Sequence, residues 1–365
     1  MSVKAAVLTA CNQPLEMRQY PEPAEVGPGE ALARVEMAGI CGTDVHLWKG
    51  ELPIPLPLIM GHESVGRLEK LGRGLERDWR GQSLQAGDRV TWASSIVCGE
   101  CYYCRAKRQP TRCLGRKAYG ISYSADDAPH LRGGYAEKIL LRAGSSIFKL
   151  SDALPTASVV GAGCALTTAI HGLERCTVSW GDVVIIQGAG PVGLAALAVA
   201  RQSGAGRIIV VGGPAHRLEL ARRFGAEETL DIADEADAGA RQRRLVEMSG
   251  GYGADVVVEC VGHPAAVNEG IELCRDGGKF LVLGQYANAG NIEFNPHTIT
   301  RKQLEVRGSW GFEPRHVDAA LRLLELGRWA ELFASQVTHR FGLEEANQAL
   351  ATVKEWRCGK AVLEP

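Results

Sequence analysis

The chain has 365 residues, 45% hydrophobic and 23% charged, with a formal net charge of −1. That length predicts two domains, and the near-neutral balance excludes a broad basic field for nucleic acid. Eleven cysteines, an odd number, with no secretory segment recognised, predict free thiols in a reducing cytoplasm rather than a disulfide framework. In chain order, short apolar runs at 4–9, 30–37, 63–68, 89–92 and 135–141, broken by Pro- and Gly-rich turns, read as strands of a β-rich first part. From about residue 167 strands alternate with helices. Runs at 183–187, 207–211, 256–259 and 279–283 are β-branched and apolar, as strands buried on both faces should be. Helical stretches at 193–203, 216–224 and 264–273 lie between them, which predicts a doubly wound parallel α/β sheet. The stretch 183–200 is apolar enough to mimic a membrane span, but Gln187 and three glycines interrupt it, so strand–turn–helix is expected. Helices at 317–326 and 343–353 and a closing strand at 360–363 complete the chain. The natural division is a catalytic domain of residues 1–166 and 302–365 with a dinucleotide domain, 167–301, inserted.

The motifs that carry chemistry follow the same order. Cys41-Gly42-Thr43-Asp44-Val45-His46 and Gly61-His62-Glu63 offer one thiolate and one imidazole, ligand types suited to a zinc ion with an open position. A lone Cys and a lone His are more often core residues than ligands. Cys164, in the Gly161-Ala162-Gly163-Cys164 turn, is either a third ligand or a small buried hydrophobe. Cys98, Cys101, Cys104 and Cys113, spaced x2, x2, x8, bring four thiolates within reach of one ion, and four thiolates at ~2.3 Å make a closed structural zinc site. Common iron–sulfur runs have other spacings. A nucleic-acid-binding ribbon lacks the surrounding positive field, and the local Arg and Lys residues read as a solvated lobe surface.

Gly188-Ala189-Gly190-Pro191-Val192-Gly193 follows a strand and opens a helix. The first Gly makes the turn, the second admits a pyrophosphate to the backbone and the third lets the helix pack closely, while the helix N-terminus supplies N–H donors. An acid normally ends the next strand and accepts from the ribose 2′-OH of NAD. Here Gly212-Gly213-Pro214 stands in its place, with His216 and Arg217 beyond. Loss of the acid removes a barrier to NADP, and Arg217 either meets a 2′-phosphate or caps the adenosine surface; the balance leans to NADP, with NAD left open.

Together with Gly87-Asp88-Arg89-Val90, Glu259-Cys260-x-Gly262 and Gly359-Lys360-Ala361-Val362, these marks give the chain a resemblance to the zinc-dependent alcohol dehydrogenases of the medium-chain dehydrogenase/reductase superfamily over essentially its full length. The resemblance implies a chaperonin-10-like β-rich catalytic domain, a Rossmann domain and an active cleft between them. It also implies two zinc ions per chain, one catalytic and one structural, reversible oxidation of an alcohol by NAD or NADP, and a homodimer or homotetramer. Carried over residue by residue, Cys41, His62 and Cys164 bind the catalytic zinc, and Glu63 lies behind them or ligates transiently. Asp44 accepts from the far nitrogen of His62. Thr43 holds the substrate hydroxyl, and His46 passes its proton outward through the cofactor ribose. Gly188, Gly190, Pro191, Val192, Gly193, Gly212 and Arg217 meet the dinucleotide.

Three features depart from the family pattern. The lobe spacing ends in x8 where x7 is usual, so a bulge is expected near Pro110. The acid is missing at Gly212. Ser94 stands where many relatives place a bulky side chain, which leaves room for a secondary, branched or cyclic alcohol, with Trp48 narrowing the other wall; the leading reading is a secondary, cyclic or polyol-like alcohol. Lys117 and Tyr119 past the lobe are expected at the surface rather than at a polar substrate. The rival readings are a zinc-free quinone or enoyl reductase, disfavoured by the metal-ligand residues, and a non-catalytic dinucleotide-binding protein, disfavoured by Thr43 with His46.

Overall fold

A computed structural model describes residues 2–365. The chain forms two compact units: one runs through Gly163 and resumes at Glu313–Pro365, the other is Cys164–Phe312.

The first unit is built on a seven-stranded sheet. Side by side lie Ile147–Lys149, Arg89–Trp92, Ser64–Leu71, Ala31–Ile40, Lys360–Glu364 and Val337–Gly342, with Lys138–Leu141 also paired to Ala31–Ile40. A three-stranded sheet (Glu16–Pro21, Ser2–Leu8, Leu58–Ile59) and a two-stranded one (Ser95–Ile96, Lys117–Ala118) complete its β-structure. Ala31–Ile40 is the central strand because nearly all of its residues are buried and apolar. Its register fixes what meets at one end. Ala38 pairs with Ser64 and Ile40 with Ala361, both antiparallel. The strand therefore delivers Cys41 beside Glu63 on one neighbour and Lys360 on the other.

The second unit is a six-stranded parallel sheet in the spatial order Glu228–Asp231, Arg207–Gly212, Val183–Gln187, Ala254–Glu259, Cys274–Val282, Glu305–Gly308. Val184, Ile185, Ile186, Ile208, Ile209, Val256, Val257 and Val258 are fully buried, each such side chain contributing about 1.5–3 kcal/mol of burial. The central strand feeds the turn at Gly188 and then the helix Pro191–Gln202. The sixth strand lies beyond the expected domain limit at 301/302, and because it pairs with Cys274–Val282 this unit extends to Phe312.

Other expectations shift locally. The strand placed at 135–141 begins at Lys138, and the helix placed at 343–353 is a 3₁₀ turn, Leu343–Glu345, followed by Ala346–Lys354. Gly161–Cys164 is not a simple turn: it lies within the helical run Thr156–Arg175, broken at Gly163, whose φ of 44° and ψ of −147° are non-helical. That run is apolar and long enough to cross a membrane by length and composition, but 67% of its apolar window is buried, as in a core helix.

Candidate metal and dinucleotide sites

Cys41 sits between the end of the central strand and the helix Gly42–Lys49, which it caps. Its Sγ accepts the Thr43 N–H at 3.2 Å, and Asp44 Oδ2 accepts the Cys41 N–H at 2.9 Å. These two bonds close a reciprocal cap that aims the sulfur. Cys41 Sγ lies 3.3 Å from His62 Nε2. Cys41, His62, Glu63 and Cys164 each offer one ligand atom, all within 4.8 Å of one another. Cys164 is joined directly to Gly163, so one peptide bond brings it to the set.

Two thiolates, an imidazole and a carboxylate so close together are the donor types of a tetrahedral zinc ion. The polar atoms around them point the same way. His62 Nδ1 and Asp44 Oδ1 are buried without a hydrogen bond and stand 3.5 Å apart, while Nε2 faces the sulfur. A metal on Nε2 leaves an Nδ1–H for Asp44 to receive, the usual support of a ligand histidine. Burial opposes charge on His62, yet the Cys41 and Asp44 charges outweigh it and raise its pKa well above the ordinary value. Tyr135, fully buried, packs its ring against Gly61, and burial and then the Asp44 charge push its hydroxyl pKa up.

Thr43 and His46, three residues apart, share a face of the capped helix. His46 Nδ1 pairs closely with the Glu51 carboxylate, and that hydrogen bond is the main cause holding the Glu51 pKa below its ordinary 4.5. The left-handed Gly50 (φ 76°) ends the helix and turns Glu51 back towards it.

The second donor set is Cys98, Cys101, Cys104 and Cys113, again within 4.8 Å. Backbone N–H groups point at its sulfurs: Cys101 donates to Cys98 and Cys98 to Cys113. N–H groups of Leu114 and Cys104 bring the Cys101 thiol down to about 6, whereas burial and the neighbouring thiols push Cys104 up. A 3₁₀ turn, Pro110–Arg112, lies within the long spacing, directly ahead of Cys113. Among the described residues none of the eleven cysteines is joined in a disulfide.

In the second unit, Gly188 has a φ of 101° and Gly190 is the N-cap of Pro191–Gln202, with Pro191 and Val192 in its first turn. A Cβ on Gly193 would lie 1.8 Å from the Gly188 carbonyl oxygen, so the third glycine is required for the helix to reach the turn. A Cβ on Gly212 would stand 2.9 Å from the Ala189 nitrogen, which leaves little room for an acid at that strand end. Parallel register instead sets Asp231 opposite Gly212, and its Oδ1 lies 3.3 Å from where a Cβ on Gly213 would be. Arg217 comes to the glycine turn, its guanidinium 3.8 Å from the Cβ position of Gly190, whereas His216 is exposed. Glu259, fully buried, accepts from the N–H groups of Val261, Gly262 and Gly284 and ties two strand-end loops together.

Tyr119 is not at the surface: it is fully buried, its hydroxyl bonded to Ser145 and accepting the Arg142 N–H, and only Lys117 is exposed. The reason is the hairpin Ser95–Ile96 with Lys117–Ala118, which turns the next residue inward. Ser94 is buried and its carbonyl accepts the Tyr119 N–H. The Trp48 indole donates to the Gln13 carbonyl at 2.8 Å. Glu51, Asp231, Tyr135 and Lys360, whose ammonium meets Glu63, were not legible as site residues.

Comparison with known proteins agrees with this geometry. Residues 27–152 match the family described as alcohol dehydrogenase GroES-like domain, and residues 191–325 that described as zinc-binding dehydrogenase. A 5-exo-hydroxycamphor dehydrogenase of Pseudomonas putida is 36% identical over 99% of this chain and 98% of its own length. A sorbitol dehydrogenase of Halalkalibacterium halodurans is 30% identical over 96% of this chain and 95% of its own. The crystal structure of an alcohol dehydrogenase from Thermotoga maritima superposes with a TM-score of 0.94 at 35% identity, covering 100% of both chains.

Proposed function

This chain belongs to the zinc-binding alcohol dehydrogenases of the medium-chain dehydrogenase/reductase superfamily, and from that premise we propose that it oxidises a secondary alcohol, cyclic or polyol-like, reversibly to the ketone. It is a zinc-dependent, NAD(P)-linked dehydrogenase. The observation that carries the reading is the pair of unlike donor sets, one of four thiolates and one mixed. Zinc supplies a Lewis acid that eases loss of a hydroxyl proton, and NAD(P) supplies the hydride acceptor.

The chain's residues have the following parts. Cys41, His62 and Cys164 would hold the catalytic ion, and the four lobe cysteines the structural one. The Asp44 carboxylate fixes the His62 tautomer. Thr43 takes the substrate hydroxyl proton, and His46 carries it away, with Glu51 holding Nδ1 so that Nε2 is the exchanging nitrogen. Gly188, Gly190 and Gly193 give the dinucleotide its backbone seat, with Pro191, Val192, Gly212 and Arg217 along its course.

For the alcohol class, the small Ser94 side chain supports room beside the reacting carbon. The relatives named for hydroxycamphor and sorbitol, and a D-arabinitol dehydrogenase 31% identical to this chain, support ring and polyol substrates. A cytoplasmic location and a homodimer or homotetramer accompany the proposal.

The test is zinc content with NAD⁺ and NADP⁺ reduction over primary, secondary, cyclic and polyol alcohols. About two zinc ions per chain and preference for secondary alcohols are expected. Cys41→Ser should abolish turnover while the lobe keeps its zinc. Full activity in that variant, or in zinc-free protein, would refute the mechanism; preference for primary alcohols would refute the substrate class alone.

A further inference from the structure

Lys360 belongs to a sequence motif that the mechanism leaves unused, and it is one of the most deeply buried charged side chains. Lys360 and Glu63 side chains are each 1% exposed, and the ammonium donates to Glu63 Oε2 at 2.5 Å. The slot that holds them is built from glycines. A Cβ on Gly39 would stand 2.6 Å from Glu63 Oε2 and 3.0 Å from Lys360 Cε; one on Gly163 would stand 2.5 Å from Glu63 Oε1 and 2.8 Å from Lys360 Nζ. The pair thus fills space that two missing side chains leave, next to the mixed donor set.

Charge and reach together give the pair a purpose. Two thiolates and the Glu63 carboxylate outweigh a dication by one negative charge, the buried Asp44 carboxylate behind His62 adds another, and Lys360 offsets the one on Glu63. Glu63 also presents a carboxylate oxygen within 4.8 Å of both sulfurs and of the His62 nitrogen, close enough to complete a four-donor shell. A closed shell of two cysteines, a histidine and a glutamate is a structural zinc site, with no position for an alcohol.

We propose that Lys360 is a positioning residue that holds Glu63 away from the fourth coordination position and so keeps the catalytic zinc open to substrate. The proposal rests on the catalytic reading of Cys41, His62 and Cys164. It differs from a packing role in the sign of one effect. Removing the ammonium takes away the cation paired with the buried Glu63 carboxylate, so Glu63 should turn to zinc and hold it more tightly. Loss of packing would loosen the site instead.

The experiment follows zinc release from the purified full chain to a chromophoric chelator, with the four-thiolate lobe as internal reference. In Lys360→Met the catalytic zinc should leave at least about tenfold more slowly than in the wild type, the scale of a charge-assisted hydrogen bond. Turnover should fall by a similar factor. Lys360→Met with Glu63→Gln should return zinc release to the wild-type range, and Lys360→Arg should release zinc as the wild type does. Faster or unchanged release in Lys360→Met, or failure of the double variant to reverse the slowing, overturns the proposal. Should the Met variant not fold, Lys360→Gln carries the test: slower release supports the proposal, and wild-type or faster release overturns it. Wild-type protein that holds only the lobe zinc overturns the catalytic-site reading itself, and the zinc content taken first tells that failure apart.

Discussion

Gly190→Ala separates a glycine needed for the fold from one needed for the ligand. Gly190 caps Pro191–Gln202 with φ −78° and ψ −179°, a backbone that alanine adopts without strain. Its Cβ would meet nothing nearer than the Arg217 guanidinium at 3.8 Å. Alanine narrows the unfolded ensemble and so favours the folded state by about 0.4–1 kcal/mol, while glycine is the better N-cap by a comparable amount. Ligand-free stability should therefore stay within about 1 kcal/mol of the wild type. The added methyl nonetheless stands where a pyrophosphate must approach the backbone N–H groups. Loss of one hydrogen bond to the charged pyrophosphate costs about 1.5–3 kcal/mol, so NADH and NADPH affinities should both fall by about 10- to 100-fold. Thermal unfolding without ligand and fluorescence titration with each reduced dinucleotide measure the two quantities. Gly193→Ala is the contrast: its Cβ would lie 1.8 Å from the Gly188 carbonyl oxygen, and overpacking of about 1–3 kcal/mol should lower the melting temperature as well. A Gly190→Ala protein that binds either dinucleotide as tightly as the wild type would refute the backbone seat.

Three further outcomes are expected. Cys101→Ala should lose about one zinc ion per chain and melt at a lower temperature; unchanged zinc content and melting would reject the structural lobe. Asp231→Ser should shift binding towards NADPH over NADH by about tenfold, since a carboxylate beside Gly213 repels a 2′-phosphate; an unchanged affinity ratio would remove Asp231 from cofactor choice. Asp318 accepts from Arg80 and Arg322, and although burial opposes its charge these bonds hold its pKa below the ordinary 3.8. A carboxylate with a depressed folded-state pKa adds stability above its unfolded pKa and loses it as pH falls through the folded one. Asp318→Asn should thus cost about 1 kcal/mol near neutrality, and the gap to the wild type should close below about pH 4. A gap that stays constant down to pH 3 would be incompatible with that assignment.

What could be read of the fold without coordinates followed burial on both faces. Val183–Gln187 and Arg207–Gly212 announce themselves because 183–186 and 208–211 are unbroken apolar, β-branched runs. Glu228–Asp231 in the same sheet does not, since only Leu230 of its four residues is buried, and Glu305–Gly308 is exposed throughout as the edge strand. The helix Ala238–Met248 was equally silent: Leu245 is its one buried residue, so no apolar stripe marks it. Thr156–Arg175 failed for the opposite reason. Apolar residues crowd much of its length and glycines punctuate it, so the Gly161–Cys164 segment reads as a turn although only Gly163 leaves helical geometry.

For the sites, residues close in sequence were legible and their distant counter-charges were not. The lobe cysteines and the glycine turn carry their spacing in one short segment each. Lys360 meets Glu63 across 297 residues, and Asp231 reaches Gly213 only through the register of two parallel strands. Glu51 is near His46 in sequence, yet it faces the imidazole because Gly50 turns the chain back. One physical signal for Lys360 was nevertheless available. A buried zinc site with two thiolates and an adjacent carboxylate carries an excess negative charge, and such a charge must be balanced within the protein. A lysine placed directly before the core residues Ala361, Val362 and Leu363 is the kind of residue that balance calls for, and pairing its strand with the one that ends just before Cys41 brings it there.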